Sequence, residues 1–294
     1  MIRILTLLII TIFCLCLNAF AIDWKKVHEA ADARTSEEAL VIYAKNQSSF
    51  ENLYILGLTY LNEHKDKQAE ETFRKMLIKQ PESIQASWGL AEVLRRKKDI
   101  EESQKILEEV IKSEPGFSPA YISLAYLRYM QADFNGAVKL ALRVQKQGKD
   151  NVDLSNYARS YLIFAGAKGM IASRGGLLSK VLNGTQVLPN LKRAEKLQPD
   201  SPAVLFGLGS FYFLAPGVAG GNVDKALEYL ERALAADPLF ADAYVRLAQI
   251  HKSKGDNEKY EFYINKALEI DLDNELAKDA TSGICKFNCV TVEE

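Results

Sequence analysis

Residues 50–83 read FENLYILGLTYLNEHKDKQAEETFRKMLIKQPES, and the same arrangement of residue types returns in the next unit of the chain. Pro81 and Pro115 lie 34 positions apart, and so do Gly57 and Ala91. A repeat of this length is a helix-turn-helix, which buries its apolar face only by stacking on its neighbours. The period therefore predicts an all-α solenoid.

Six positions within the unit carry a specific pattern. With Phe50 as position 1, positions 7, 8, 11, 20, 24 and 32 are Leu56, Gly57, Tyr60, Ala69, Phe73 and Pro81. Small residues at positions 8 and 20 let two helices approach, large residues fill the seam, and proline ends the second helix. The pattern closely resembles that of the tetratricopeptide repeat (TPR) family, which implies a right-handed superhelical solenoid with a concave binding surface.

This register divides the chain into about six helix pairs with terminal caps. Three regular units fill residues 50–151, and two units with loop insertions, at 174–178 and 215–221, fill residues 152–240. The sixth unit covers residues 241–273. We expect an N-terminal capping helix pair in 22–49, at 24–32 and 36–46, and a capping helix with a cysteine tail in 274–294. Because no linker composition separates the units, we predict one domain.

The first 21 residues differ in composition from the rest of the chain. Arg3 precedes an apolar run, and Ala19-Phe20-Ala21 has the small residues of a cleavage site. The run is short for a bilayer span, which needs about 20 residues. We predict a cleaved secretory signal at 1–21 and a periplasmic or secreted protein without an integral membrane span. An uncleaved signal anchor is the alternative.

Charge and cysteines restrict the possible partners. The 37 Lys and Arg residues nearly balance the 38 Asp and Glu residues, so there is no electrostatic case for binding nucleic acid. After cleavage the remaining cysteines are Cys285 and Cys289. An oxidising compartment favours a disulfide between them, with two free thiols as the alternative. A metal site has little support because no histidine lies nearby.

The face of helix A carries the main site prediction. In the family, positions 2, 5, 9 and 12 of each unit line the concave groove. Position 5 is apolar or aromatic in the five units with a clear register: Tyr54, Trp88, Ile122, Phe206 and Val245. Positions 9 and 12 add Leu58, Leu61, Tyr126, Tyr129 and Phe213, with Glu92 and Arg95 as the main charges.

Two interpretations of this stripe remain open. A large apolar stripe predicts a groove for an apolar helix, an extended peptide or a small apolar ligand. Alternatively, the curvature of the superhelix packs these side chains on the next unit, or a capping helix or second copy covers them. Family members that capture acidic chain termini use lysine and asparagine here, so a carboxylate-clamp function is disfavoured.

The turn in the fifth unit is a second candidate site. Pro216, Gly220 and Gly221 form a Pro-x-x-x-Gly-Gly sequence between helices A and B. The turn is similar to one in the T-component (TatT) of TRAP-type transport systems, which implies a periplasmic subunit that works with a solute-binding protein. The residues alone favour a mechanical role, in which the glycines permit a sharp turn and Asn222 caps helix B.

Catalysis is not predicted. The three histidines are dispersed, and no nucleophile motif or metal-ligand cluster assigns catalytic roles. We predict a non-catalytic exported adaptor that needs no cofactor. It would bind a protein or peptide partner in envelope assembly, secretion or transport. The alternative is a solute-transport accessory that handles a small apolar ligand.

Overall fold

Paired helices follow one another along the part of the chain that the structure describes, residues 22–282 of a computed structural model. The signal prediction for 1–21 and the Cys285 and Cys289 pair lie outside these residues. The helices are α1 (Trp24–Asp32), α2 (Ser36–Lys45), α3 (Phe50–Asn62), α4 (Asp66–Lys79), α5 (Ile84–Arg96), α6 (Ile100–Ser113), α7 (Ser118–Met130), α8 (Phe134–Gln147), α9 (Leu154–Arg174), α10 (Leu177–Gly184), α11 (Val187–Leu197), α12 (Pro202–Leu214), α13 (Val223–Ala236), α14 (Ala241–Ser253), α15 (Asn257–Ile270) and α16 (Glu275–Ser282). The all-α solenoid of helix pairs is confirmed.

Local chemistry explains where the helices begin and end. The side chains of Ser49 and Ser83 accept hydrogen bonds from the first turns of α3 and α5, at 3.1 and 3.2 Å. Pro81 and Pro115 each lie just beyond the end of a B helix. Gly148 ends α8 with a φ of 82°, a left-handed conformation that glycine adopts without strain. The prolines and Gly148 therefore stop the helices where the repeat register expects.

Small residues hold helices A and B of one repeat close together. A Cβ atom on Gly57 would approach the Phe73 ring to 2.6 Å, so no larger residue fits without a shift. Ser103, which is fully buried at position 20, donates a hydrogen bond to the carbonyl oxygen of Ala91 at 2.8 Å. These contacts confirm the expected use of positions 8 and 20.

The described residues divide into two compact units between Pro81 and Glu82, within the run of regular repeats, and the single domain stays a prediction. In a solenoid each repeat contacts mainly its neighbours, so the contacts can separate between any two repeats. In the first unit, α1 and α2 both pack on α3, as expected of an N-terminal cap. The hydroxyl of Tyr54 on α3 lies 2.9 Å from Nε2 of His28 on α1.

The A helices of the second unit form an inner row. α5 contacts α7, α7 contacts α9, α9 contacts α12, and α12 contacts α14, while each B helix packs on its own A helix. α16 packs on α14 and α15 as a C-terminal cap. Beyond the ends of α5 and α15, Lys98 Nζ lies 3.1 Å from a carboxylate oxygen of Asp271. The second and sixth repeats therefore meet.

The insertion in the fourth repeat forms an additional helix. α9 runs to Arg174, and α10 turns back to pack on α9 before α11 takes the place of helix B. A Cβ atom on Gly175 would approach the carbonyl oxygen of Ile171 to 3.1 Å and would collide with Ser179. Glycine at this position therefore permits the sharp turn between α9 and α10.

The loop of the fifth repeat is held by its own backbone. Gly220 has a φ of 98°, and a Cβ atom on Gly221 would overlap the carbonyl group of Ala215. The side chain of Asn222 accepts a hydrogen bond from Lys225 N at 2.9 Å and so caps α13. The mechanical role of this turn is confirmed. Contact of Pro216, Gly220 or Gly221 with a partner stays a prediction.

Candidate functional site

The predicted stripe separates into buried and accessible side chains. Most position-5 side chains are buried, and so are two at position 9 and one at position 12: Tyr54, Leu58, Leu61, Trp88, Glu92, Ile122 and Val245. The others retain partial exposure: Arg95, Tyr126, Tyr129, Phe206 and Phe213. The buried group contributes packing within each compact unit, whereas a partner could reach the second group directly.

Trp88 shows how the buried group packs. Its indole Nε1 donates a hydrogen bond to Oγ of Ser123 at 2.9 Å, which joins α5 to the neighbouring A helix α7. Its ring also meets Phe117 edge-on, with centroids 6.1 Å apart. At this residue the structure matches the interpretation in which the stripe packs on the next unit.

The accessible side chains of the second compact unit converge on charged groups. We call the following residues the inner cluster: Glu92, Arg95, Tyr126, Tyr129, Asp242 and Arg246. The Arg95 guanidinium donates a hydrogen bond to Glu92 at 3.1 Å and lies 4.8 Å from the centroid of the Tyr126 ring. This arrangement combines an ion pair with a cation–π contact.

The sixth repeat contributes the remaining groups through α14. Arg246 donates hydrogen bonds to Ser210 at 3.2 Å and to Gln249 at 2.6 Å. Asp242 accepts a hydrogen bond from Asn274, the residue before α16, at 2.7 Å.

Tyr129 connects the two ends of this arrangement. It lies on α7 but packs against an apolar cluster that α14, α15 and α16 build together, whose members include Val245 and Leu276. The inner cluster therefore draws on the second, third and sixth repeats.

Burial and nearby charges set the ionisation of the inner cluster. Burial, followed by the charge of Asp242, raises the pKa of Tyr126 to about 12. Burial also raises the pKa of the Asp242 carboxyl above its usual value. Burial alone would raise the pKa of Glu92, but the Arg95 guanidinium, helped by the charge of Arg159 and a hydrogen bond with Ser123, outweighs it and lowers that pKa to about 2. Burial lowers the pKa of Arg246 to about 10. At neutral pH, Glu92 and both arginines are charged.

The partly exposed members of the inner cluster, Arg95, Tyr126, Tyr129 and Asp242, offer both hydrogen-bond donors and acceptors. Tyrosine hydroxyls and guanidinium groups donate, and carboxylates accept. A peptide backbone presents amide and carbonyl groups in alternation, and a mixed set of this kind can satisfy both. Within residues 22–282, no three His, Cys, Asp or Glu side chains are grouped to hold a metal ion.

The sequence prediction included Arg95, Tyr126 and Tyr129 but missed two members of the inner cluster. Asp242 lies at position 2 of the sixth unit, and reading that groove position in every unit would have found it. Arg246 lies at position 6, where the repeat pattern predicts no groove contact. No signal in the sequence pointed to Arg246.

None of the helices between residues 22 and 282 combines the length and apolar character that a membrane crossing requires. This finding does not extend to the first 21 residues, on which the export prediction depends.

Comparisons with known proteins agree with the repeat assignment. The tetratricopeptide repeat family model matches residues 61–125 and 218–282. TTC0263, a thermophilic TPR protein of Thermus thermophilus, has a similar structure, with a TM-score of 0.55 and 20% sequence identity. The match covers 67% of this chain and 95% of that one. No curated protein sequence matches the chain significantly.

Two further solved structures share the fold. A tetratricopeptide repeat protein from Parabacteroides merdae ATCC 43184 has a TM-score of 0.53 and 14% identity, over 83% of this chain and 88% of its own. An IFIT1 monomeric mutant with Gppp-AAAA has a TM-score of 0.54 and 17% identity. That match covers 83% of this chain and 56% of the IFIT1 chain. At these identities the likeness shows the fold alone.

The resemblance to the TRAP T-component receives no support from these matches. The 34-residue register, the paired helices and the two matched stretches all agree on the broader assignment. Members of this family are in general non-catalytic scaffolds for protein interaction. The sequence therefore carries tetratricopeptide repeats in these two stretches, and its fold is that of a tetratricopeptide repeat solenoid.

Proposed function

We propose that this protein is an exported, non-catalytic scaffold that binds an extended segment of a partner protein along its inner A helices. The inner cluster carries this proposal. Its donors and acceptors come from α5, α7 and α14, and Arg95, Tyr126 and Tyr129 remain accessible. A segment lying across these helices would contact several repeats at once, which is how repeat proteins use their concave surfaces.

The polar character of the inner cluster favours a peptide over a small apolar solute. An apolar solute would contact the rings of Tyr129 and Phe206. It would also displace the water that hydrogen-bonds the partly exposed face of the Arg95 guanidinium, and removing water from a charged group costs free energy. A peptide backbone replaces those hydrogen bonds. The transport-accessory alternative is therefore less well supported.

The proposal places the protein in the periplasm or outside the cell, in envelope assembly, secretion or transport. This part rests on the sequence of residues 1–21, with Arg3, the apolar run and the Ala19-Phe20-Ala21 site. Mass spectrometry of protein isolated from the envelope and the medium tests it. A mature chain that begins at Ile22 would support export with cleavage, whereas an intact Met1 would support the signal anchor.

A photo-crosslinking amino acid at Tyr129 tests the site directly. Tyr129 belongs to the inner cluster and is partly exposed, so we expect a covalent adduct between this position and one polypeptide in intact cells. Phe262 provides a matched control, because it is an aromatic residue of similar size on helix B and is 54% exposed. Mass spectrometry of the adducts would identify the partner. Equal adducts from both positions would contradict binding at the inner face.

The substitutions Tyr126→Asp and Trp88→Asp separate binding from folding. Tyr126 is partly exposed and makes a cation–π contact with Arg95 worth about 1 kcal/mol, so we expect Tyr126→Asp to abolish the adduct while the protein stays folded. Trp88 is buried, so Trp88→Asp should destabilise the fold by about 3–5 kcal/mol. Circular dichroism and thermal melting measure both effects. Unfolding by Tyr126→Asp would mean that the accessible group is also core.

A further inference from the structure

α10 exposes its apolar side chains to solvent. Leu177, Leu178, Val181 and Leu182 are 81%, 72%, 54% and 58% exposed. Their spacing of i, i+1, i+4 and i+5 places them on one face of the helix. A helix at the surface of a globular protein normally turns such a face toward the core, so the orientation of α10 is reversed.

Polar side chains fix this orientation. Ser179 donates a hydrogen bond to the carbonyl oxygen of Ile171 on α9 at 3.2 Å. Lys168, also on α9, donates to Asn183 at 3.0 Å, and Asn183 donates to Ser179 at 3.1 Å. Ser179 and Asn183 lie opposite the four apolar residues on the helix. The contacts with α9 therefore hold the apolar face outward.

The chain around α10 is positively charged. Residues 154–194 contain no aspartate or glutamate but include six basic residues: Arg159, Lys168, Arg174, Lys180, Lys192 and Arg193. Lys180 lies on α10 itself and is exposed, and Arg174 immediately precedes the turn into α10. Asp153 and Glu195 flank this segment, and Lys192 forms an ion pair with Glu195 at 2.8 Å. Arg174 and Lys180 are therefore the basic residues nearest in sequence to the exposed apolar face, in a chain whose overall charge is close to zero.

Charge distinguishes α10 from α2, a second helix that exposes apolar side chains. On α2, Leu40 and Val41 are 47% and 55% exposed, but Glu37 and Glu38 precede them on the same helix. A negatively charged surface would repel α2 and attract the segment that carries α10.

We propose that α10 docks on a lipid bilayer surface that carries anionic headgroups, with Leu177, Leu178, Val181 and Leu182 entering the interface and nearby lysine and arginine side chains contacting the headgroups. Helices that lie in the membrane interface combine a large apolar face with basic residues. Basic residues next to an apolar anchor add affinity for anionic lipid, and salt screens that contribution. This proposal is independent of the partner proposed for the inner cluster.

Vesicle sedimentation tests the proposal. The chain that begins at Ile22 keeps every described helix and omits the apolar N-terminal run, whose own affinity for lipid would obscure the result. We expect it to sediment with vesicles of phosphatidylcholine and phosphatidylglycerol, and to be released by high salt or by omission of the phosphatidylglycerol. Leu178→Gln with Leu182→Gln should weaken binding about tenfold or more, because both side chains leave the interface. Lys180→Glu should weaken binding and reduce its dependence on salt.

A matched pair of substitutions controls for the loss of exposed apolar surface. Leu40→Gln with Val41→Gln removes two aliphatic side chains of similar exposure from α2 and should leave vesicle binding unchanged. A tryptophan at position 178, as in Leu178→Trp, should shift its fluorescence to shorter wavelength on lipid binding and be quenched by brominated lipid.

Three results would overturn the proposal. One is equal vesicle binding by the two double variants, and another is an unshifted spectrum for Leu178→Trp on vesicles that carry the protein. The third is a second copy on α10, seen as an oligomer in lipid-free solution that Leu178→Gln with Leu182→Gln converts to a monomer. Circular dichroism of each variant confirms that a loss of binding is not a loss of fold.

Discussion

Trp88 and Glu92 lie on the same face of α5, one helical turn apart, and both are buried. The indole packs against α7 through Ser123 and Phe117, whereas the carboxylate is compensated by Arg95. A buried carboxylate without a cation would cost several kcal/mol, so Arg95 stabilises the fold as well as lining the inner face. A single side chain on this face, such as Arg95, can therefore stabilise the fold and also remain within reach of a partner.

Glu92 should make the stability of the protein depend on pH in the acid range. Its pKa is about 2 in the folded protein and 4.5 as the ordinary value, so its carboxylate stabilises the fold above about pH 4.5. That contribution is lost as the pH falls toward 2. We expect Glu92→Gln to lower the free energy of unfolding by about 3 kcal/mol at pH 7 and by little near pH 2. Urea denaturation at a series of pH values measures this difference.

Glu102→Gln is the matched control for Glu92→Gln. Glu102 lies on α6 in an exposed ion pair with Lys105, at 3.6 Å. Its replacement should change the free energy of unfolding by less than about 0.5 kcal/mol. If Glu92→Gln behaves like Glu102→Gln at pH 7, the ion pair between Glu92 and Arg95 does not stabilise the fold.

At the level of helices, the sequence predicted nearly every element, because the signals are local. Serine caps, prolines after B helices and small seam residues act within a few positions of each boundary. α10 was not predicted, although the interruption at Arg174 was. Residues 177–184 have no position in the repeat register, and their apolar face points away from the core. Because sequence patterns predict a helix from the apolar face that it buries, they could not predict a helix whose apolar face is exposed.

Alanine substitutions at two glycines test the close packing of helices A and B, because the free energy of unfolding should fall at one glycine and rise at the other. Gly57→Ala should destabilise the protein by about 1–3 kcal/mol, because the new methyl group would overlap the Phe73 ring. Gly169→Ala should stabilise it by about 0.5–1 kcal/mol, since Gly169 lies within α9 and its new methyl group would meet Val187 at 3.8 Å, an ordinary contact. Thermal and urea denaturation measure both. Destabilisation of equal size by both substitutions would rule out the seam explanation.

On the scale of the whole molecule, the candidate site depends on how the repeats of the second compact unit curve. Tyr129 of the third repeat reaches the apolar cluster of α14, α15 and α16 because small rotations accumulate from one repeat to the next. Repeat positions identify which residues face inward, and this identified Arg95, Tyr126 and Tyr129. They do not say which distant repeats meet. For that reason the sequence could not place Asp242 and Arg246 beside them.

The C-terminal cap should stabilise the inner cluster as well as the last repeat. A chain that ends at residue 273 loses Leu276 from an apolar cluster and Asn274 from its hydrogen bond to Asp242. We expect the free energy of unfolding to fall by about 3 kcal/mol, from lost burial and a lost cap. Urea denaturation measures this change, and binding of an apolar dye reports the exposed cluster. A chain that ends at residue 282 keeps α16 and serves as the reference, so equal stability of the two shortened chains would argue against a stabilising role for α16.

Lys98 and Asp271 close a loop of 173 residues with a single ion pair. A solenoid can change its pitch when distant repeats move apart. This ion pair opposes that motion, because it joins the second repeat to the sixth. Both side chains are partly exposed, so the ion pair contributes only about 0–1 kcal/mol and is screened by salt. We therefore expect higher ionic strength to let the second and sixth repeats separate more readily, with no change in any helix.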